Sequence, residues 1–289
     1  MGEVTLSTLL RGVELRLKAA GIPSGRVEAE MIVGHVLGLK RSDLYLRPKS
    51  TIPPGEASAV YDLVKKRGGR VPLQYLLGEC EFMSLPFKMR RGVFIPRPET
   101  EILVETVVAK TKADGVRTGR ILDIGTGSGV IAISLAKCLM PDLVVATDIS
   151  LEAVETAGEN AILNRVDTVT RFVIGDRLDP VRRDHMVGFD VVTCNPPYIE
   201  TGEIPELQPE VRDFEPRAAL DGGPDGLRFI DGIVPGIPSV LNEGGLVALE
   251  VAETQGPHVR ALLVEAGLVE VRIVKDLSGF DRIVIGRRS

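Results

Sequence analysis

The sequence predicts an α/β fold: a mostly parallel sheet with an antiparallel last strand, preceded by a small N-terminal helical bundle and a linking β-hairpin. Three observations carry that expectation. From residue 99 onward, short apolar segments alternate with helix-length ones. The first of those apolar segments, "RILDIG", runs directly into the glycine-rich turn "GTGSG". The final two, "EVRIVKD" and "DRIVIGR", are joined through the short "LSG", too little chain for a right-handed helical crossover, so they should pair antiparallel. Strands that are apolar along nearly their whole length belong in a sheet covered on both faces.

The 289 residues suggest about two domains. A hydrophobic content of 44% is ample for a sizeable core. No apolar run reaches the roughly 18 residues of a membrane span, and the opening "MGEVTLSTLLRGVELRLKAAG" lacks the basic-then-apolar order of a secretory signal. A cytoplasmic protein without membrane attachment is the expectation. Cys80, Cys138 and Cys194 are too few and too scattered for a disulfide framework or a thiolate metal site, and His35, His185 and His258 are equally dispersed. No metal is expected. The net charge of -5 conceals an asymmetry, since residues 1–98 carry 16 Lys or Arg against 9 Asp or Glu, while residues 99–289 carry 19 against 31. A basic front half beside an acidic back half can steer an acidic macromolecule toward one end.

Residues 1–77 read as helices. "LSTLLRGVELRLKAAG" places Leu6, Leu9, Leu10, Val13 and Leu17 at three-and-four spacing, closed by Gly21 and Pro23. "RVEAEMIVGHVLG" and "GEASAVYDLVKKRGG" repeat the pattern, with Gly38 and Gly68 as terminators. The segment holds no catalytic constellation, which leaves support or partner recognition as its role. Residues 78–98 change texture: in "CEFMSLPFKMRRGVFIP" two extended runs flank a turn-like "MRRG", predicting the hairpin.

Residues 99–289 form the sheet domain. "EILVETVVAK" is helical, and the strands are "RILDIG", "LVVATD", "VTRFVIGD", "FDVVTCNPP", "GGLVALEVA" and the final pair. Gly125, Gly127 and Gly129 allow a tight turn and a close backbone approach to a ligand at a helix N-terminus, with Thr126 and Ser128 between them. Asp148 closes the second strand, 23 residues past Gly125, where a carboxylate can accept from both hydroxyls of a ribose. It could instead cap the next helix, although Ser150 is a competent cap of its own. Val130 stands where a pyrophosphate fingerprint has its third glycine. A nucleoside cofactor without phosphates, such as S-adenosyl-L-methionine, therefore fits better than a dinucleotide. Asp176, ending the third strand, could accept from an adenine amine, or could serve only as a turn carboxylate.

The fourth strand ends in Asn195, Pro196, Pro197 and Tyr198, across the expected switch point from the first. Successive prolines remove two backbone donors and leave carbonyls that only accept. The Asn195 side-chain carbonyl and the Pro196 backbone carbonyl can then hold one planar NH2 group, with Tyr198 over its plane or donating from its hydroxyl. An amide or exocyclic amine nitrogen is a poor nucleophile because its lone pair is delocalised. Two aligned acceptors favour the positive charge that develops as that lone pair turns toward an electrophile. Methyl transfer to nitrogen follows, onto either an amide or the N6 of adenine.

Taken together, "PLQYLLGE", "FIPRPETE", "DIGTGSG", "NPPYI", "VRDFEPRAALDGGPDGL" and "SGFDRIVIGR" resemble, in order over residues 71–287, the peptide chain release factor glutamine N5-methyltransferases. The resemblance implies a helical domain followed by a seven-stranded Rossmann-like methyltransferase domain. It also implies S-adenosyl-L-methionine as cofactor, S-adenosyl-L-homocysteine as product, and the GGQ glutamine of class 1 release factors as substrate. On this chain it makes Gly125 to Gly129 the cofactor loop, Asp148 the ribose ligand, and Asn195 to Tyr198 the clamp for the glutamine side chain. Phe94 would lie at the cofactor and substrate junction, with Arg97 and Glu99 near the cofactor. Many relatives place a Trp after the acidic residue of the third strand; this chain has Arg177 there and no Trp at all. A guanidinium can stack on adenine in its place.

Residues 199–227 are longer than an ordinary connection and lack periodicity, which predicts a lid over the partner's glutamine loop, its shape fixed by Glu215 and Arg217. A monomer with no direct nucleic-acid contact is expected. Three other readings share the motifs: an adenine N6-methyltransferase, which should add a basic groove; a glutamine methyltransferase of a ribosomal protein; and a catalytically silent cofactor-binding adaptor.

Overall fold

A computed structural model describes residues 4–114 and 118–289. Contacts divide it into two units, the first being the chain through Gly78 with Pro209–Phe214, the second Glu79–Gln208 with Glu215–Ser289.

The first unit contains helices α1 (Leu6–Ala19), α2 (Gly25–Leu37), α3 (Arg41–Leu46), α4 (Pro54–Gly68) and α5 (Leu73–Leu77). On α1 the three-and-four spacing buries Leu6, Leu9, Val13 and Leu17 against Ile32, Val33 and Val60. Thr5 caps its start by accepting from the Thr8 N–H, and Gly38 closes α2 with a φ of 63°. Gly68 is the last helical residue of α4 and Gly69 follows as its cap, one position later than the spacing suggests. A short helix at Pro209–Phe214 also belongs to this unit. The buried Arg67 guanidinium donates to both oxygens of Glu28 and to Glu210 of that helix, and Arg70 donates to the second Glu210 oxygen. Two positive and two negative charges compensating one another make this burial tolerable.

In the second unit the hairpin forms with a different turn from the expected one. Strands β1 (Glu79–Phe82) and β2 (Leu85–Lys88) pair with Phe82 opposite Leu85, so the turn is Met83–Ser84, and "MRRG" comes after the second strand. Both turn residues have positive φ, 51° and 59°, the conformation whose twist matches antiparallel strands. Phe82 and Phe87 determine the register: both are buried and meet edge to face at 6.2 Å.

The hairpin leads into α6 (Glu99–Ala113) and then β3 (Arg120–Ile124), α7 (Val130–Leu139), β4 (Leu143–Asp148), α8 (Leu151–Leu163), β5 (Thr170–Ile174), α9 (Asp179–Arg183) and β6 (Phe189–Cys194). Between Ile199 and Gly223 lie the two-stranded parallel pair β7 (Ile199–Glu200) and β8 (Asp221–Gly223), flanking α10 (Pro209–Phe214) of the first unit. The chain ends with α11 (Arg228–Ile233), α12 (Ile237–Val240), β9 (Leu241–Glu250), α13 (Gly256–Glu265), β10 (Leu268–Lys275) and β11 (Asp281–Arg288). Seven strands form one sheet in the order β10-β11-β9-β6-β3-β4-β5. Strands β3, β4, β5, β6 and β9 run parallel, while β11 is antiparallel to both neighbours. Alternate strand residues fill two cores: Leu122, Val192 and Val247 face one, Ile121, Val191 and Ala248 the other. Both faces are therefore covered, as apolar strands require.

Asn160 joins three segments of this unit. Its Oδ1 accepts from Lys88 N at 2.6 Å, and its Nδ2 donates to the carbonyls of Lys88 and Ser128 at 3.1 and 2.9 Å. The hairpin, α8 and the glycine-rich turn are thus tied through one fully buried amide. Asn160→Ala would strand those groups, and the expected loss of stability is about 2–4 kcal/mol by denaturant unfolding. A change below about 0.5 kcal/mol would mean that the tie is dispensable.

Candidate active site

Register places the site. Ile124 lies beside Thr147 and Cys194, and Cys194 beside Leu249. The next residues along those four strands are Gly125, Asp148, Asn195 and Glu250, so a glycine turn, two carboxylates and an amide emerge at one level of the sheet. The chain reverses its direction of sheet growth between β3 and β6, which opens a crevice at the strand ends.

Gly125, Gly127 and Gly129 all have positive φ, at 72°, 57° and 84°. At Gly129 a Cβ would also lie 3.0 Å from Ala157 and Ile133 atoms, so glycine is required twice over where α7 starts. Asp148 holds the turn: its two oxygens accept from the N–H groups of Gly127 and Ser150 at 2.8 and 2.9 Å. Burial raises its carboxyl above the ordinary range, and those backbone donors oppose the rise. Ser150 itself caps α8 by accepting from Ala153 N, so Asp148 is not the cap. Beneath the turn, Asp123 is fully buried and accepts from the hydroxyls of Thr126 and Thr193. Burial pushes it up to about 6 despite those donors.

A cavity in the second unit takes its walls from these elements. The turn contributes Gly125, Thr126, Gly127 and Ser128, with Asp148 and Ile149 beyond it. Asn195, Pro196, Pro197 and Tyr198 form a second wall, with Phe94, Arg97 and Thr100 beside them. Asp176, Arg177 and Phe229 line a further part. Gly129 starts α7 behind the wall, and Glu99 is exposed outside the lining, one residue before Thr100, which lines it. Arg177 has a positive φ of 49°, and its guanidinium lies 5.3 Å from the Phe229 ring. Ser128 Oγ and Arg177 Nε are buried with no hydrogen-bond partner among the described residues.

The Asn195 amide is oriented. Its Nδ2 donates to Thr100 Oγ1 at 3.0 Å, leaving Oδ1 as the spare acceptor. Tyr198 is fixed at both ends, its hydroxyl donating to Glu250 Oε1 at 3.2 Å and its carbonyl accepting from Gln255 Nε2 at 3.0 Å. Gly226 lies directly against that carbonyl, where a Cβ would come within 2.3 Å of it. Arg97 sits 4.9 Å from the Phe94 ring and donates to Glu215 Oε1 at 2.5 Å, while Glu215 Oε2 accepts from Ile95 N. Arg217 pairs with Asp221 on the surface. From the same loop, Pro216, Ala218, Ala219 and Leu220 reach the cavity.

Thr100, Phe229, Gln255 and Glu250 carry weight here that the sequence reading did not give them. The signal for Glu250 was a carboxylate at the end of an apolar strand, the same signal that marked Asp148. Among the described residues no group of His, Cys, Asp or Glu could hold a metal ion, and no helix is long and apolar enough to cross a membrane.

The chain matches two family models, the PrmC N-terminal domain over residues 8–78 and the methyltransferase small domain over residues 85–208. Among solved structures it is similar to a methyltransferase from Pyrococcus furiosus, with a TM-score of 0.52 and 21% identity, covering 72% of this chain and 91% of that one. That likeness shows the fold of the sheet domain. Curated relatives extend over the whole chain: the release factor glutamine methyltransferase of Moorella thermoacetica is 40% identical over 286 residues, 99% of each chain. The protein of the same name from Thermodesulfovibrio yellowstonii is 39% identical over 262 residues, 91% of this chain and 92% of its own. With its sheet, its glycine turn and its Asn-Pro-Pro-Tyr wall in place, this chain belongs to the release factor glutamine methyltransferase family.

Proposed function

We propose that the protein transfers a methyl group from S-adenosyl-L-methionine to the side-chain amide nitrogen of the GGQ glutamine in class 1 peptide chain release factors, in the cytoplasm. The observation that carries this reading is the Asn195 amide, whose nitrogen is engaged by Thr100 and whose oxygen is spare at the cavity wall. An acceptor in that position suits a substrate that brings an NH2 group.

The cavity's donors and acceptors suit the cofactor. Asp148 would take the ribose hydroxyls, the turn from Gly125 to Gly129 would pass close beneath the nucleoside, and Arg177 with Phe229 would border the adenine, Asp176 accepting its amine. Ser128 Oγ, buried without a partner, is a further group available to it. Arg97 would border the same ligand, with Phe94 at the junction of cofactor and substrate. Glu99 acts only through its charge, from outside the lining. When bound, the cofactor supplies an electrophilic methyl on a sulfonium with a good leaving group.

The protein's own part is alignment and acceptance. Asn195 Oδ1 and the Pro196 carbonyl take the two hydrogens of the substrate amide, drawing nitrogen's lone pair out of conjugation as positive charge develops. Pro197 removes a backbone donor that would compete. Tyr198 closes the wall with its ring, because its hydroxyl is occupied by Glu250. No strong base is needed before attack, since the proton leaves after the nitrogen has become acidic. The loop from Ile199 to Leu227 acts as a lid over the substrate glutamine, held by Glu215 on Arg97, with residues 1–77 as the docking module for the release factor.

An adenine substrate is the second reading of the same wall. The proximal loop offers Pro216, Ala218, Ala219 and Leu220 to the cavity, an apolar rather than a basic approach, which favours a protein loop.

Mass spectrometry of a purified release factor incubated with the enzyme and labelled cofactor should place one methyl on the GGQ glutamine; a methyl elsewhere, or none, refutes the assignment. Asn195→Ala should lower kcat by about 100- to 1,000-fold while cofactor Kd moves less than about threefold. Equal losses in both would remove Asn195 from the substrate side. Asp148→Ala should raise cofactor Kd by about 10- to 100-fold in calorimetry, the value of one lost charge-assisted contact. Unchanged binding would refute the ribose contact.

A further inference from the structure

Glu250 is 1% exposed and does not line the cavity, yet it touches the substrate wall through two routes. One is direct, through the Tyr198 hydroxyl, which donates to its Oε1. The other passes through Thr100, itself 1% exposed, whose hydroxyl stabilises the ionised carboxylate and whose oxygen accepts from Asn195 Nδ2. Glu250 Oε2 has no partner at hydrogen-bonding geometry, so the carboxylate retains accepting capacity in a dry site.

The hydroxyl of Thr100 can be satisfied in two ways. With its proton turned to Glu250, its oxygen accepts from Asn195, and the Asn195 oxygen faces the cavity. With its proton turned to Asn195, the amide is most stable flipped, and an NH2 group faces the cavity instead. A donor there would repel the substrate amide. An ionised carboxylate behind Thr100 selects the first arrangement, because it can only accept.

We propose that Glu250 is a positioning residue for methyl transfer, fixing the Asn195 amide through Thr100 and the Tyr198 ring through its hydroxyl, so that the wall presents acceptors to the substrate nitrogen. The inference rests on the reading of Asn195 as the substrate clamp.

Charge controls the device. Burial raises the Glu250 carboxyl from 4.5 to about 7, with Thr100 and Tyr198 pulling down, Glu99 pushing up from the start of α6, and Arg282 pulling down from β11. On β6, burial and then the carboxylates of Asp123, Glu250 and Asp148 keep the Cys194 thiol neutral, and burial with Glu250 raises Tyr198, which stays protonated. Asp123 on β3, which accepts from Thr193 and is raised to about 6, and Asp148 on β4, also raised, face the same strand end; Glu250 is the raised carboxylate that contacts Thr100 and Tyr198. Its ionised form orients the wall, so kcat should climb as pH rises through about 7. Stability runs oppositely. The folded state binds this proton more tightly than the unfolded one, so the Glu250 contribution is complete below about 4.5 and is lost as pH rises through about 7.

Glu250→Gln tests both signs. The variant should lose about 10- to 100-fold in kcat at alkaline pH, the range for orienting partners of directly acting groups. Cofactor Kd should stay within about threefold, because the side chain lies outside the cavity. The rising kcat limb near neutrality should disappear. In cofactor-free protein, the difference in Tm between wild type and variant should change with pH across the window from 4.5 to about 7. Wild-type kcat with an unaltered pH limb, or a Tm difference flat across that window, overturns the proposal. Should the Gln variant fail to fold, Thr100→Val tests the same link, with a comparable kcat loss expected and full activity contradicting it. Absence of any glutamine methylation by the wild-type enzyme would instead overturn the substrate assignment, and the cofactor-free Tm comparison remains readable in that event.

Discussion

Everything chemical in this molecule depends on strand register. Because β3, β4, β6 and β9 are parallel and aligned at Ile124, Thr147, Cys194 and Leu249, their next residues come out at one level. Those residues are Gly125, Asp148, Asn195 and Glu250. A slip of one residue in any strand would turn its apolar side chains to the wrong face and move its polar end away from the others. Packing on both faces therefore specifies the site: the energy that fixes the register is the burial of residues such as Leu122, Val145, Val192 and Val247.

That arrangement collects negative charge in a dry place. Asp123, Asp148 and Glu250 are all raised by burial, and each is partly relieved by hydroxyl or backbone donors. Each of these carboxylates is harder to ionise in the fold than in water. Such costs accumulate at functional sites, where stability gives way to a needed orientation. Here the orientation is that of acceptors: a turn held by Asp148, and an amide held with its oxygen outward. The surrounding ties are correspondingly dense, with Asn160 joining the turn to the hairpin and Gln255 fixing the Tyr198 carbonyl.

Much of this was legible in the sequence because it follows from local grammar. Apolar runs separated by helices, glycines after the first strand, Asp148 after the second and Asn-Pro-Pro-Tyr after the fourth each sit at a position that the parallel sheet defines. The short link before the last strand correctly implied its antiparallel pairing. What escaped was non-local. The hairpin turn fell at Met83–Ser84 because Phe82 and Phe87 must both be buried, whereas the charged "MRRG" makes a turn of its own after the second strand. Asn160 reads as an ordinary helical residue until Lys88 and Ser128 are brought to it. Thr100 and Glu250 are separated by 150 residues, and no spacing rule links a helix's second residue to a strand's last one. Residues 199–227 read as an irregular loop, and part of them, α10, turns out to pack in the helical unit through Arg67 and Arg70.

The central claim is that the wall after β6 offers oxygen, not nitrogen, to an incoming amide. A structure of the enzyme with S-adenosyl-L-homocysteine and a glutamine-bearing release factor tests it most directly. The account predicts that Asn195 Oδ1 and the Pro196 carbonyl oxygen each accept one hydrogen of the glutamine NH2, with Asn195 Nδ2 still on Thr100. A glutamine bound through its own carbonyl to Asn195 Nδ2, with its nitrogen turned from the wall, would contradict it.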